Sequence, residues 1–382
     1  MKNERGEHQL RTWVEIDRKA IAHNYKVFRK LISKKTKLLG VIKSNAYGHN
    51  LLEFSAELER LGIDWLGVDS IVEGLTVRKQ DVKIPILVLG YTLPIHFDEA
   101  RAKDITITIS SFAQLERVMK ANKPKNPLRV HIKVDTGMHR QGFQLHELQK
   151  LLDILRNADK KTLVIEGLYT HFAEAKQPRS GFNTREQIKQ FELWRKSFKE
   201  DGYDIITHAS ASGGTLLFPS AHYDMVRIGI ALYGLWPSRE LEQFLSNKIT
   251  LKPVLTWKAV VSEVKEVKQG ERVGYDLTEM LTHNSRIAIV PVGYWHGFPR
   301  LLSSRGRVLI HGKTARVLGR VSMDMIVVDV TDIADTKEGD VAVLIGKDGK
   351  LEIQARELAE FSGTTQYELV TRLNPLMKKI YR

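Results

Sequence analysis

The chain has 382 residues, of which 42% are hydrophobic, 27% charged and 8% aromatic. This length predicts two or three domains, or one barrel with an appended domain, and the composition excludes a disordered, collagen-like or coiled-coil protein. There are no cysteines, which excludes disulfides, thiolate metal sites and cysteine nucleophiles.

Lysine and arginine together number 59 and aspartate and glutamate 45, so the formal net charge is +14. The basic residues are scattered and no aromatic-rich RNA motif accompanies them, which favours a solvated basic surface and no nucleic-acid partner. The N-terminal segment is polar, and no apolar run approaches the ~20 residues of a membrane span. We therefore expect a soluble cytoplasmic protein with no membrane partner, and the histidine spacing indicates no metal site.

Strand-like and helix-like patterns alternate along the first two thirds of the chain. Residues 13–17 form a short alternating segment, and Asp17 is a typical N-cap for the amphipathic stretch after it. Eight apolar, strand-like runs follow, at 38–43, 65–69, 86–90, 105–109, 130–134, 163–169, 204–208 and 225–229. Amphipathic stretches separate most of these runs, which predicts an α/β fold, an N-terminal (β/α)8 TIM-like barrel over residues 12–245. A doubly wound sheet is the alternative, but its glycine-rich fingerprint is missing.

The pattern changes after about Leu251, where short β-branched runs are broken by glycine and aspartate. Only one clear helical pattern follows, in IQARELAEF. This part of the chain predicts a C-terminal, mostly antiparallel β domain over 246–382, which residues 1–11 join.

A barrel predicts chemistry at the carboxyl ends of its strands. The reactive or conformationally special residues there are Lys43, Tyr47, Lys133, Asp135, Met138, Arg140, His171, His208, Ser212, Arg227, Gly229 and Ile230. The serine- and glycine-rich turns after the last two strands are typical of phosphate sites. Lys43 lies in an apolar strand, where burial lowers the pKa of an amine and favours imine chemistry, although a lysine that reaches solvent from a strand end is the alternative. Together these features indicate pyridoxal phosphate, whose aldehyde forms a Schiff base with lysine.

The segment VIKSNAYGHN, which contains Lys43, resembles the cofactor-lysine motif of the alanine racemase family of pyridoxal phosphate enzymes. Other segments resemble further motifs of that family in the same order: KVDTGMHRQGF, EGLYTHFAEA, HASAS, MVRIGIALYG, VGYD, VSMDM and QYELVTRLNP. The resemblance extends over residues 13–376. It implies an isomerase that interconverts L-alanine and D-alanine, supplies D-alanine for cell-wall peptidoglycan, and works as a homodimer with shared active sites.

The resemblance also implies a role for individual residues. Lys43 would bind the cofactor and act as the base on one face of the substrate, and Tyr275 of a second subunit would act on the other face. The residues implied to contact pyridoxal 5'-phosphate are Lys43, Tyr47, His171, Ser212, Arg227, Gly229, Ile230 and Tyr367. Arg140 and the backbone of Met323 would bind the substrate carboxylate, and Lys133 matches a lysine that is often carbamylated in the family.

Each of these residues also has a structural interpretation. Taken alone, Arg227 is a strand-end arginine that pairs with Asp224, Tyr275 is a loop tyrosine, and Tyr367 is a core aromatic residue. His171 and His208 are satisfied core histidines in the same interpretation, and for His208 we prefer it. The segment HGKT at 311–314 has the wrong spacing for a nucleotide phosphate loop and predicts a hairpin turn.

The sequence departs from the family pattern near the expected site. Trp295 and His296 replace a common Ala-Asp pair, which affects the approach of substrate, and His139 replaces a usual glycine. Tyr367 is retained, which implies a small pocket that favours alanine, with serine as a secondary substrate. A decarboxylase on the same architecture is an alternative function, but it would require an acidic residue in place of Arg227 and a reactive cysteine.

Overall fold

A computed structural model describes residues 10–120, 126–178 and 181–382. The chain divides into two units. The barrel unit comprises Lys19–Ala46 and Leu51–Lys252, and the β-rich unit comprises residues 10–18, 47–50 and Pro253–Arg382. The predicted contribution of residues 1–9 to the β domain lies outside the described residues.

Strands are numbered along the chain, and the first, β1 (Thr12–Ile16), belongs to the β-rich unit. The next eight strands form one parallel sheet: β2 (Lys37–Val41), β3 (Trp65–Val68), β4 (Ile86–Val88), β5 (Ile105–Ile109), β6 (Leu128–Lys133), β7 (Leu163–Tyr169), β8 (Ile206–His208) and β9 (Met225–Ile228). They pair in the order β8-β7-β6-β5-β4-β3-β2-β9. Backbone hydrogen bonds from Asp224 to Thr207 (3.1 Å) and from Arg227 to Ser210 (2.9 Å) link the two ends of this order. The predicted barrel is thereby confirmed.

The strands of the barrel are buried on both faces, which explains why they appear as continuous apolar runs. All five residues of β5 are buried, including Thr106 and Thr108. The helices of this part of the chain are Arg18–Leu31, Leu51–Arg60, Ile71–Arg78, Phe97–Ala102, Phe112–Met119, Leu148–Arg156, Phe182–Glu200, Ser212–Leu217 and Arg239–Leu245. None of the helices in the described ranges is both long and apolar enough to cross a lipid bilayer.

The β-rich unit contains the remaining strands: β10 (Leu255–Val260), β11 (Glu263–Val267), β12 (Arg272–Val273), β13 (Glu279–Met280), β14 (Ser285–Val290), β15 (Arg307–Ile310), β16 (Lys313–Leu318), β17 (Ile326–Asp329), β18 (Val341–Asp348), β19 (Leu351–Ile353) and β20 (Lys378–Tyr381). Its main sheet is antiparallel except where β1 and β20 pair in parallel. Two helices, Ala355–Phe361 and Gln366–Thr371, complete it. Burial alternates along β10, as expected for a sheet with one solvated face.

The barrel unit begins at Lys19 and not at the predicted residue 12, because β1 belongs to the β-rich unit. Residues Thr12–Ile16 of β1 pair antiparallel with β10, from Thr12 opposite Ala259 to Ile16 opposite Leu255. The backbone N–H of Asp17 then donates to the carbonyl of Val254 at 2.9 Å. The N-terminal segment therefore completes the second sheet before the chain enters the barrel.

Candidate active site

Lys43 follows β2 and begins a single helical turn, Lys43–Tyr47, whose backbone is left-handed. Ser44, Asn45 and Ala46 have φ/ψ angles of 55/53°, 55/46° and 51/50°, and Tyr47 has φ 51°. L-residues avoid this region because Cβ approaches the following carbonyl, so four in succession are strained. The turn is held by local hydrogen bonds, since the amide of Ala46 donates to Ile42 (2.8 Å).

The Lys43 ammonium donates a hydrogen bond to the Asp69 carboxylate, with Nζ–Oδ1 at 3.2 Å. The Lys43 side chain is 39% exposed, which differs from the buried amine that the apolar strand suggests. The difference arises because the strand ends at Val41, so Lys43 lies beyond the buried section. Asp69 follows β3, and its own amide donates to Glu73 (2.9 Å). Its position at the end of a strand-like run is a signal that is present in the sequence.

Arg227 on β9 is 2% exposed and has no carboxylate partner among residues 10–120, 126–178 and 181–382. Its Nη1 donates to Nδ1 of His208 at 2.7 Å, and its Nη2 donates to the carbonyls of Thr170 and Ala209, both at 2.8 Å. Nη2 also lies 3.2 Å from Nδ1 of His171. Within the described chain, no contact uses the Nε–H of this guanidinium.

Asp224, the partner that a structural interpretation of Arg227 requires, is engaged elsewhere. Its carboxylate accepts hydrogen bonds from the backbone N–H of Thr207 (2.9 Å) and from the Thr207 hydroxyl (2.5 Å). In the described part of the chain, Arg227 is therefore a buried cation held by neutral groups. Burial lowers its pKa to about 10, which leaves it charged at neutral pH.

The histidines around Arg227 are neutral. Burial, followed by the charge of Arg227, lowers the pKa of His171 to about 3. The same two causes hold the pKa of His208 well below its ordinary value. Desolvation disfavours a charged imidazole, and a neighbouring cation adds to the effect. Both rings are thus available as hydrogen-bond acceptors for the guanidinium.

Lys133, at the end of β6, is a second buried amine. It is 6% exposed, and its Nζ donates to Oε1 of Gln141 at 2.9 Å. Burial lowers its pKa to about 8, and the charges of Arg140 and Arg227 act in the same direction. A concavity next to Lys133 is lined by Asp135, Met138, Arg140, Gln141, Thr170 and His171, among others.

The loop that carries Arg140 is organised around Asp135. The Asp135 carboxylate accepts four backbone hydrogen bonds, from Gly137, Met138, His139 and Arg140, at 2.9 to 3.1 Å. This arrangement aligns four amides in one short loop and fixes the backbone of Arg140. His139 has φ 53°, a conformation that favours glycine, which explains why the family usually has glycine there.

Ser212 and Gly229 lie together after β8 and β9. The backbone N–H of Gly229 donates to the Ser212 hydroxyl at 3.1 Å, and Ile230, which follows, is 1% exposed. A Cβ on Gly213 would lie 2.2 Å from the carbonyl oxygen of Ala175. Glycine at 213 is therefore required by a close backbone approach, which holds the start of the Ser212–Leu217 helix.

Tyr47 and Tyr367 both belong to the β-rich unit, and their ring centroids are 6.4 Å apart at an interplanar angle of 52°. Burial raises the pKa of Tyr367, and the neighbouring Tyr47 adds to this effect. The Tyr367 phenol therefore stays protonated at neutral pH. Gly48, next to Tyr47, packs so closely that a Cβ there would lie 2.0 Å from the carbonyl oxygen of Val370.

Tyr275 and Met323, also in the β-rich unit, are exposed by 67% and 54%. Tyr275 begins a 3-10 turn, Tyr275–Leu277, which the Asp276–Arg320 ion pair (3.0 Å) supports. The carbonyl of Met323 accepts a hydrogen bond from the Trp295 amide at 3.0 Å. The departure at Trp295 thus adjoins the predicted substrate-binding segment.

The structure brings most predicted residues into two groups. The barrel unit groups Lys43, Lys133, Arg140, His171, Ser212, Arg227, Gly229 and Ile230 at the carboxyl ends of its strands, whereas Tyr47, Tyr275, Met323 and Tyr367 belong to the β-rich unit. His208 is a buried core histidine that also accepts a hydrogen bond from Arg227. In the described ranges no cluster of three or more histidine or carboxylate side chains fits a metal ion.

Comparisons with known proteins identify the family of this chain. The model of the alanine racemase N-terminal domain matches residues 16–237, and that of the C-terminal domain matches residues 254–381. The alanine racemases of Carboxydothermus hydrogenoformans and Methanococcus maripaludis are each 38% identical over 97% of this chain, and 99% and 98% of those relatives are covered.

Solved structures give the same result. Alanine racemase from Bacillus anthracis, solved with bound L-Ala-P, has a TM-score of 0.92 and 32% identity, with 98% of this chain and 95% of that chain covered. Alanine racemase from Clostridium difficile has a TM-score of 0.91 at 32% identity, with 98% and 96% covered. The chain therefore belongs to the alanine racemase family of amino-acid isomerases.

Proposed function

We propose that this protein interconverts L-alanine and D-alanine with pyridoxal 5'-phosphate as its cofactor. The observation that carries the proposal is a lysine just after one barrel strand and a buried arginine on the neighbouring strand. Lys43 follows β2, Arg227 lies on β9, and Leu39 of β2 is directly opposite Arg227. A lysine side chain and a buried cation at the same end of a barrel are what a covalently held, anionic aromatic cofactor requires.

The residues present fit this cofactor. The Lys43 amine would bind it covalently, and the Nε–H of Arg227, which no described contact uses, is the natural donor to the ring nitrogen. His171 would lie beside the ring, while Ser212, Gly229 and Ile230, with Tyr47 and Tyr367, would hold the phosphate. Because arginine gives up no proton, the ring nitrogen would accept a hydrogen bond without becoming protonated.

When bound, pyridoxal phosphate supplies the electron sink that makes the α-hydrogen of an amino acid acidic enough to remove. Racemisation requires one group to take this proton and another to return a proton on the opposite face. We assign these tasks to Lys43 and Tyr275. The Tyr275 phenol is 67% exposed, which suits a side chain that completes the active site of a second subunit in a homodimer.

The substrate carboxylate would bind to Arg140 and to the backbone of Met323. We also propose that Lys133 is carbamylated. With its pKa lowered to about 8, Lys133 has a substantial neutral fraction under mildly alkaline conditions. A neutral amine adds carbon dioxide to form a carbamate and releases one proton. The resulting anion would compensate the positive charge of Arg140.

Tyr367 would restrict the pocket to small side chains, so alanine would be the main substrate and serine a secondary one. The D-alanine product would supply peptidoglycan synthesis. A test of the substrate is a chiral chromatography panel of small L-amino acids incubated with the cofactor-loaded protein. D-alanine formation supports the proposal, and formation of an amine with release of carbon dioxide would instead indicate a decarboxylase.

The division of labour between Lys43 and Tyr275 has its own test. Lys43→Ala and Tyr275→Phe are each expected to lose racemisation, whereas Tyr203→Phe, at a tyrosine that follows the Phe182–Glu200 helix, serves as a control. Mixed dimers of the two inactive variants should regain one competent site. No recovery, with subunit exchange verified by differently tagged chains, would contradict the shared site.

A further inference from the structure

A chain of polar side chains crosses the barrel interior from Arg227 towards the opposite end of the strands. Arg227 contacts Nδ1 of His208 (2.7 Å), and Nε2 of His208 contacts Nδ1 of His131 (2.8 Å). Nε2 of His131 then points to Oε2 of Glu166 at 3.9 Å. Both histidines are completely buried. None of the roles assigned above uses His131 or Glu166.

The direction of the hydrogen bonds in this chain is fixed at one end. A guanidinium only donates, so Nδ1 of His208 must accept from Arg227. His208 then carries its proton on Nε2 and donates to Nδ1 of His131. His131 in turn carries its proton on Nε2, which has no hydrogen-bond partner in the described chain and faces the Glu166 carboxylate. Arg227 as donor and His131 as acceptor thus act on the two nitrogens of His208 in the same sense, and together they favour its Nε2–H tautomer.

The backbone makes room for His131 in particular. The pairing of β6 with β7 shifts from Val130 opposite Ile165 to His131 opposite Gly167, which leaves Glu166 as the extra residue of a bulge. A Cβ on Gly167 would lie 2.5 Å from two atoms of the His131 ring. The Glu166 bulge and the adjacent Gly167 together make space for the His131 ring, which indicates that the backbone of β7 specifies where this ring lies.

Neighbouring side chains hold both rings and the carboxylate in place. Tyr169 stacks on His208 with centroids 4.7 Å apart and an interplanar angle of 5°. The Tyr169 hydroxyl contacts the Thr108 hydroxyl at 2.9 Å. At the other end, Oε2 of Glu166 accepts a hydrogen bond from Thr106 (2.7 Å). The imidazoles therefore have little freedom to rotate or to exchange tautomers.

We propose that His131 is a positioning residue that acts on Arg227 through His208. By accepting from Nε2 of His208, His131 fixes the tautomer in which Nδ1 of His208 is free to hold the guanidinium. Glu166 stabilises the same arrangement from the far end through its attraction for the Nε2–H of His131. The proposal rests on the proposed role of Arg227 at the ring nitrogen of the cofactor.

The first test uses the protein without cofactor, so it does not depend on the proposed function. Nitrogen-15 NMR of histidine-labelled protein should show His131 and His208 as neutral Nε2–H tautomers at neutral pH. In His131→Leu the acceptor is lost, and we expect His208 to become a mixture of tautomers. His131→Asn retains a side-chain acceptor and should restore the Nε2–H form. An unchanged His208 tautomer in folded His131→Leu would overturn the proposal.

The second test uses the cofactor-loaded protein. A loosely held Arg227 would allow protonation of the ring nitrogen, which favours transamination, in which alanine and pyridoxal phosphate become pyruvate and pyridoxamine phosphate. We expect the ratio of transamination to racemisation to rise about tenfold in His131→Leu, the effect of weakening the His208 hydrogen bond to the charged Arg227, and to return in His131→Asn. Equal loss of both reactions would indicate a purely structural role. If the wild-type protein binds no cofactor, the proposed function fails while the tautomer result stands.

Discussion

The Ser212 hydroxyl accepts a hydrogen bond from the backbone N–H of Gly229 at 3.1 Å, which ties the turn after β8 to the turn after β9. We expect Ser212→Ala to weaken binding of pyridoxal phosphate about five- to tenfold, because a hydrogen bond of this kind contributes about 1 kcal/mol. Absorbance titration of the unloaded protein measures the change. Ser210→Ala is a matched control, because it removes the nearby bond from Ser210 to the Ala221 carbonyl (2.8 Å). An equal loss in both variants would contradict a specific role for Ser212.

The lowered pKa of Lys133 predicts an unusual dependence of the protein's stability on pH. The folded pKa of this lysine is lowered to about 8 by burial and by nearby cations, whereas an unfolded lysine has a pKa of about 10.4. Between these values the unfolded chain holds a proton that the folded chain lacks, so this residue makes the free energy of unfolding rise with pH. Below the folded pKa, Lys133 opposes folding in full.

Lys133→Met should remove this effect. We expect the variant to be more stable than the wild type by about 1–3 kcal/mol near neutral pH, with the difference shrinking as the pH rises from about 8 to about 10. Urea unfolding of cofactor-free protein in buffers without carbon dioxide measures it. The control is Lys189→Met, whose side chain is 72% exposed. A constant difference across this pH range would contradict the lowered pKa.

The backbone conformation of His139 predicts that replacing this residue with glycine stabilises the protein. The His139 φ of 53° is strained for any residue with a Cβ, at a cost of about 1–2 kcal/mol, and glycine avoids the strain but has greater entropy when unfolded. We expect His139→Gly to raise the free energy of unfolding by about 0.5–1 kcal/mol. His139→Ala keeps the strain and should give no gain. His283→Gly, in an exposed turn without positive φ, should be destabilising, and a gain there would remove the explanation.

The lowered pKa of the buried His131 predicts that the folded protein loses stability in acid. Burial, followed by the charge of Arg227, lowers the pKa of this histidine to about 3, while an unfolded histidine has a pKa of about 6.5. As the pH falls between these values the unfolded chain gains a proton that the folded chain does not, so stability is lost. As the pH falls below about 6, the free energy of unfolding should decrease less steeply in His131→Asn than in the wild type. The two slopes should differ by roughly 1 kcal/mol per pH unit. His283→Asn, at an exposed histidine, is the comparison variant, and an unaltered slope in His131→Asn would be inconsistent with a neutral buried ring.

The barrel was predictable because most residues of its eight strands are buried, so that the strands appear as separate apolar runs. Ile105–Ile109 and Leu163–Tyr169 match the predicted ranges at both ends. β1 was harder to place, because Thr12–Ile16 pairs with strands more than two hundred residues away, at Leu255–Val260 and Lys378–Tyr381. A short alternating segment contains no information about which sheet will accept it.

The candidate site was predictable only in part. Family motifs located Lys43, Arg227 and Tyr275, but not the contacts that govern them. In the sequence, His131 resembles any other histidine in an apolar strand. Its importance depends on the Glu166 bulge and on Gly167, which lie in a different strand. Asp69 ended a predicted strand, yet only the three-dimensional structure brings its carboxylate to the Lys43 amine.

The left-handed turn at Lys43–Tyr47 limits how this loop can evolve. Ser44, Asn45 and Ala46 cost roughly 1 kcal/mol each in that conformation, so the turn persists only while its hydrogen bonds outweigh the strain, among them the Asn45 side-chain bond to the Leu51 amide at 2.9 Å. Adding or deleting one residue here would break that register and let the backbone relax to right-handed geometry. The amine would then be redirected even with every side chain intact, so loop length at this position should be invariant wherever the chemistry is retained.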